Sequence, residues 1–285
     1  VPAPPARNVK AVAFTSADVK HAARTLLDKA TPATERTATI EACLPLADEV
    51  VREMAANMPA DAEEEYRRIP AIWQVSIAAA KKNDGAVLKR LLAVSLPAKG
   101  DKLRDWQAVV IGGGIINGIS QLESWPKRRL ADLTKDDPAL AGRWQGALEN
   151  AIVMAENGGT PPGTRYDALR IVALSNHQAA GAILKKHLAK DAHAELQMGS
   201  VSGLVDVETE EAGKWLAAAL PDLASENRKL AIAGLLRTPA RAKLFLDMLE
   251  AKKANLEWVP ATAHERLLKM QDGEIRRRVE RVFGK

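Results

Sequence analysis

Four leucines constrain this chain more than any other feature. Leu174, Leu204, Leu235 and Leu267 stand at equivalent places near the ends of successive apolar stretches, spaced 30, 31 and 32 residues apart. A second series, Leu184, Leu216, Leu246 and Val279, keeps spacings of 32, 30 and 33. Within each stretch the apolar residues recur at helical period; in the last one, Ile275, Val279, Val282 and Phe283 fall at i, i+4, i+7 and i+8. A helix with one apolar stripe needs a partner, and a pair of such helices needs a neighbouring pair. A fixed period of helix pairs is the mark of a solenoid, in which each pair buries its face on the next. The spacing therefore predicts an all-α chain, a right-handed α-solenoid of about seven to nine pairs at a period of ~30 residues. It spans residues 16–285 after an irregular segment at 1–15.

Local signals place the individual helices. Ser16 reads as the N-cap of a first helix carrying Val19, Ala22, Ala23, Leu26 and Leu27. A second stripe, Ile40, Cys43, Leu44 and Ala47, contains Pro45, which has no N–H to give and must kink or restart the helix. Pro59 ends that region. Ile69, Ile72, Trp73, Ile77 and Ala80 form the next stripe, with Pro70 expected in its first turn, and Asp84 caps a partner carrying Leu88, Leu91 and Leu92. Leu103, Trp106, Val110 and Ile111 lead into Gly112-Gly-Gly114. Asp137 and Pro138 are a strong helix start, opening the stripe of Leu140, Trp144, Ala147, Leu148, Ala151 and Ile152. The Gly- and Pro-rich run 157–164 is the clearest loop and a candidate sub-boundary. Tyr166 and Leu169, Met198 and Val201, Ile232 and Leu236 then mark the first helices of the later pairs, and Asp272 caps the closing helix. No stretch alternates with period two.

Composition bounds the function more loosely. Apolar residues make up 47% of the 285, enough for a continuous core, yet no run is long enough to span a membrane. The net charge of +5 permits an anionic partner without demanding one. The start, Val1-Pro-Ala-Pro-Pro5, has neither the basic opening nor the apolar core of a signal peptide and reads as a processed end or a boundary within a longer protein.

The stretch Leu267-Leu-Lys-Met-Gln-Asp-Gly-Glu-Ile-Arg-Arg-Arg-Val-Glu-Arg-Val-Phe-Gly284 resembles the short bacterial HEAT-like repeat, with Asp272, Ile275, Arg276, Val279 and Phe283 at the matching places. Residues 143–284 are also similar to the helical-repeat region of large exported bacterial proteins described as membrane-bound dehydrogenases. The segments Leu103-Arg-Asp-Trp106, Ala194-Glu-Leu-Gln197, Pro221-Asp-Leu223 and Arg237-Thr-Pro239 carry that similarity. In that family the repeats lie between a β-propeller and a c-type cytochrome domain, neither of which is in this chain. The resemblance implies export, with a periplasmic location in a bacterium, and a protein partner or neighbouring domains of the same polypeptide.

Motifs for chemistry fail one by one. Gly112-Gly-Gly-Ile-Ile-Asn-Gly118 has Asn117 where the dinucleotide fingerprint needs Gly, and Ile119 where a triphosphate loop needs Lys, so its glycines serve close helix approach or a helix break. The single cysteine, Cys43, precludes a C-x-x-C-H haem site and sits on an apolar stripe as an inert core thiol. His21, His177, His187, His193 and His264 make no i, i+4 pair for zinc, with His187 bordering the core. No nucleophile elbow is present, and the carboxylates Glu63-Glu-Glu65, Glu208 and Glu210-Glu211 sit at helix starts. Trp73, Trp106, Trp144 and Trp215 fall on stripes and read as core, whereas Trp125 and Trp258 lie near turns. Basic clusters at Lys81-Lys82, Lys127-Arg-Arg129, Lys185-Lys186, Lys252-Lys253 and Arg276-Arg-Arg278 recur near helix ends, as solvated faces do.

The reading is a HEAT-like scaffold or protein-interaction module, not an enzyme, with no cofactor and no metal in this chain. Trp125, Arg128, Arg129, Trp258, Arg276 and Arg277 are the candidate contact residues. The alternative is a nucleic-acid-binding HEAT-like protein of the DNA glycosylase kind, which uses a concave basic face.

Overall fold

A computed structural model describes residues 15–59, 61–96, 105–175 and 179–284. Among the described residues the structure is helical, with turns and two short 3-10 segments but no strand. The all-α expectation holds. Leu103 and His177 lie outside the described residues, as does the side chain of Trp106.

The helix starts follow capping chemistry. Helix α1 (Ser16–Leu27) is capped one residue earlier than expected, by Thr15, whose hydroxyl accepts from the Asp18 N–H while Asp18 accepts from the Thr15 N–H. That reciprocal pair requires an acceptor three residues on, which Thr15 has and which fixes the correction from Ser16. Helix α2 (Ala33–Cys43) stops at Cys43, a 3-10 turn carries Pro45, and α3 (Ala47–Ala55) restarts beyond it. Helix α4 (Ala62–Lys82) begins well before the expected stripe, capped by Asp61, so Pro70 lies inside the helix and not in its first turn. The ring faces solvent, and the missing N–H costs only the bond to the Tyr66 carbonyl. Asp84, Asp137 and Asp272 cap α5 (Gly85–Ser95), α8 (Pro138–Glu156) and α16 (Gly273–Phe283) as the sequence predicts.

Helix α6 (Asp105–Gln121) runs unbroken through the glycines, so their purpose is close approach and not a break. A Cβ on Gly114 would stand 2.6 Å from the Cβ of Ser76 and 3.1 Å from the Trp73 carbonyl of α4. Gly113 is covered by the Asp167 carboxylate of α9 (Pro162–Leu174), and Gly118 by Ala80 and the Ile77 carbonyl. The same device recurs later. A Cβ on Gly199 of α11 (Ala194–Val205) would meet the Tyr166 carbonyl at 2.9 Å, and one on Gly203 would meet Ala173 at 2.8 Å. Gly234 of α13 (Ser225–Leu235) lies under Val205. Helices α4, α6, α9, α11 and α13 thus form a row, each packed on the next nearly backbone to backbone.

The remaining helices lie against this row. Helix α3 packs on α1, α4 and α5, while α7 (Pro126–Thr134) joins α5 to α8, and α8 packs on α9 across residues 157–161, a connection shorter than the expected 157–164 loop because Pro162 starts α9. Helix α10 (Ala180–Lys186) follows α9, and α12 (Glu210–Ala219), α14 (Pro239–Glu250) and α16 form a second row beside α11 and α13. Helix α15 (Ala261–Lys269) pairs with α16. Leu204, Leu216, Leu235, Leu267 and Val279 are buried in one continuous core, and the half-buried Phe283 packs against it while stacking on His264. Met198, expected on a stripe, is exposed; its helix buries the neighbouring Gln197 instead.

A polar device repeats with the core. Arg165, Gln197 and Arg228 are each the fourth residue of α9, α11 and α13, spaced 32 and 31 residues apart. Each donates to a carbonyl at the end of the preceding helix or just beyond it: Ala155 at 2.9 Å, Ala189 at 3.0 Å and Leu220 at 2.8 Å. Helix ends leave such carbonyls without internal partners. Gln197 does more, accepting from the Ala224 N–H and from Asn227 Nδ2, so one amide ties two connections together.

Candidate functional site

The most concentrated polar chemistry gathers at the C-terminal end of α11. Asp206, the residue that ends this helix, has a side chain with no exposed surface. It accepts from the Ser120 hydroxyl of α6 and from Arg170 of α9, through Nε at 3.2 Å and Nη2 at 2.5 Å. Arg237, just beyond α13, brings Nη1 to 3.5 Å of the other carboxylate oxygen. The same guanidinium donates to the Val205 carbonyl at 2.9 Å and to the Ser124 carbonyl at 2.9 Å. Arg241 of α14 donates to the carbonyls of Leu204, Val205 and Val207. Two arginines therefore satisfy the carbonyls at the buried end of α11, where the helix dipole is negative. Trp125 roofs them, with Arg237 4.1 Å and Arg241 5.5 Å from its ring centroid.

Ser120, Arg170, Asp206 and Arg237 bound a cleft of about 320 Å³. Asn117, Gln121 and Glu123 line it from α6 and the following turn, Tyr166 from α9, Ser202 from α11, and Arg266 from α15. Glu123 pairs with Arg266 at 2.8 Å across the rim. Burial works against the Arg170 charge, but the Asp206 carboxylate, together with Tyr166 and Asp167, offsets it and holds the guanidinium above its ordinary range. Burial and the neighbouring Arg237 push Arg241 down to about 10, and burial lowers Arg237 as well. Three buried guanidinium groups around one buried carboxylate make a region with an excess of positive charge.

A second buried carboxylate has a different character. Asp167 is 5% exposed, sits over Gly113, and among the described residues takes one hydrogen bond, from Trp73 Nε1 at 3.3 Å. Its nearest cation, Arg170, is committed to Asp206. Burial pushes its carboxyl up to about 8, so it holds a proton at neutral pH. Elsewhere burial pushes the Cys43 thiol up to about 11, which keeps it unreactive. His187 is buried against Glu156, 3.4 Å away.

The contact residues expected from sequence are scattered. Trp125 is half-buried over its two arginines, Arg128 is exposed and pairs with Glu208 at 2.7 Å, and Arg129 donates to the Asn83 side chain at 3.0 Å. Trp258 is half-buried with Arg228 stacked 4.0 Å from its centroid, and Arg276 and Arg277 are exposed on α16. Of the tryptophans read as core, Trp144 is buried, while Trp73 and Trp215 are half-buried at its edge. Sequence reasoning missed Arg170, Asp206, Arg237 and Arg241 as a group. The available signal was the run Asp167-Ala-Leu-Arg170-Ile-Val-Ala-Leu174, in which two charged residues interrupt a stretch that is buried throughout.

Fold and site together define an all-α protein with a close-packed row of helices and an arginine-rich polar cleft at its middle. Compared with family models, curated proteins and solved structures, the chain matches none. Among the described residues no helix is long and apolar enough to cross a membrane.

Proposed function

We propose that this chain is a HEAT-like α-solenoid acting as a non-enzymatic scaffold, a rigid surface for a protein partner or for neighbouring domains of a larger exported protein. The observation that carries it is the recurrence of Arg165, Gln197 and Arg228 at one helix position, each joining one helix to the end of the last. Polar residues spent at a fixed period on holding the stack belong to a chain selected to keep its shape. The glycines that a nucleotide-binding reading needs are covered by neighbouring helices. The place within an exported redox protein rests on the resemblance carried by Asp272, Ile275, Arg276, Val279 and Phe283.

Charge pairing favours the scaffold over nucleic-acid binding. Within the basic clusters, Arg128 pairs with Glu208, Lys186 with Glu156, and Arg278 with Asp247 and Glu250. Such pairs are weakly stabilising, but they leave fewer cations to release counterions from a phosphate backbone. Duplex and single-stranded DNA titrated against the purified chain between 50 and 200 mM salt should show weak binding with a shallow slope. A steep slope, or base excision by the chain lost on mutating one buried residue, would replace this reading with the nucleic-acid one.

A further inference from the structure

We propose that the cleft beside Asp206 is a binding site for a phosphoryl dianion, either free phosphate or a small phosphate monoester. The argument begins with charge. Arg170, Arg237 and Arg266 line the cleft against Asp206 and Glu123, an excess of one positive charge, while Arg241 lies beside Arg237 with Glu208 acting on it. The negative end of the α11 dipole offsets about half a charge of this. Arg170 and Arg241 are each 3% exposed, so solvent screens the excess poorly. Displacing Glu123 from Arg266 leaves two positive charges uncompensated at the cleft, against the roughly −1.5 to −2 of a phosphate monoester near neutral pH.

Geometry supplies the donors. Arg170 lines the cleft, and its Nη1 has the Tyr166 hydroxyl at 3.3 Å, a neutral and distant acceptor for a buried guanidinium. The Tyr166 and Ser202 hydroxyls are 3.5 Å apart, too far for a strong bond between them and free to turn toward an anion. Arg266, at the rim, is held by a Glu123 side chain that is 66% exposed. Arg237 and Arg241 spend their N–H groups on carbonyls and contribute their field. Guanidinium forks suit phosphoryl oxygens in number and spacing. Glu123 then acts as a competitor, occupying Arg266 until an anion displaces it.

This competition gives a test that a purely structural role does not pass. Inorganic phosphate is titrated into the purified chain by calorimetry at constant ionic strength, with chloride as the control salt and glycerol phosphate as the monoester arm. Saturable binding of phosphate or glycerol phosphate is expected, and the tighter of the two identifies the source. Arg266→Gln should weaken it at least fivefold and Tyr166→Phe a few-fold, while Glu123→Gln should tighten it several-fold. Arg24→Gln, exposed on α1, should leave it unchanged. Circular dichroism melts of each variant separate lost binding from lost folding. Absence of saturable binding with either anion overturns the proposal. So does binding that folded Arg266→Gln and Glu123→Gln variants leave at the wild-type value. Neither result touches the scaffold reading, which does not depend on a ligand.

Discussion

Asp167 makes stability depend on pH in a direction opposite to that of an ordinary paired carboxylate. Its carboxyl is buried over Gly113, with a hydrogen bond from Trp73 and with Arg170 already taken by Asp206. Burial pushes its pKa from 3.8 up to about 8, and Glu195 adds to the rise, against the lowering effects of Arg170 and Trp73. Between those two values the folded chain keeps a proton that the unfolded chain releases. Stability is therefore fully present below about pH 4 and falls as pH rises toward 8. Each unit of the window is worth up to about 1.4 kcal/mol, so the loss between pH 5 and 8 reaches about 4 kcal/mol at most. Asp167→Asn keeps the shape and an acceptor for the Trp73 N–H but has no proton to lose. Urea unfolding followed by tryptophan fluorescence at pH 5, 6, 7 and 8 should give a variant whose midpoint rises relative to wild type at each step. Every other titrating group is common to both chains, so the difference isolates Asp167. Parallel midpoints across the range would refute the argument and mean that Asp167 is ionised in the fold.

Three further outcomes follow from the packing. Gly114→Ala should cost about 1–3 kcal/mol from overpacking against Ser76 and the Trp73 carbonyl. Gly142→Ala and Gly146→Ala, with nothing within 4 Å of the added methyl, should stabilise by about 0.5–1 kcal/mol; equal effects in urea melts at the three sites would mean that α4 and α6 are not in close contact. Asp206→Leu should cost about 3–5 kcal/mol by leaving Arg170 buried without its partner, and adding Arg170→Met should restore part of it, as a double-mutant cycle reads directly. Arg228→Ala should cost about 1.5–3 kcal/mol through the Leu220 and Leu223 carbonyls it satisfies, whereas Arg276→Ala, exposed on α16, should fall within about 0.5 kcal/mol of wild type in the same assay.

Much of the fold was legible in the chain because its causes are local. Apolar period, capping aspartates and the proline at 45 act over a few residues, and helices placed on those signals agree with the structure from Asp84 and Asp137 to Asp272. The repeat spacing extended this to burial, since equivalent leucines must face equivalent neighbours, and all eight residues of the two spaced series are buried. Where local evidence was read too narrowly, it misled. Pro70 suggested a helix start because proline suits a first turn, yet the helix begins at Ala62 under the stronger Asp61 cap. The glycines of α6 left two readings open, and only the presence of α4 and α9 on either side decided for close approach.

The candidate site could not be read in the same way. Ser120, Arg170, Asp206, Arg237 and Arg241 come from separate helices and the turns that follow them, and nothing in the chemistry of one announces the others. Their meeting depends on α6, α9, α11 and α13 being neighbours at one end, and on the α11 carbonyls needing donors there. Asp167 shows the same limit: an aspartate in an apolar run is visible in sequence, but its proton is retained because Arg170 turns to Asp206, a choice made by packing. Local periodicity and capping therefore determined the helices and their faces. The chain's tertiary structure alone decided which charges are buried together, because burial and pairing are properties of neighbours that the sequence holds far apart.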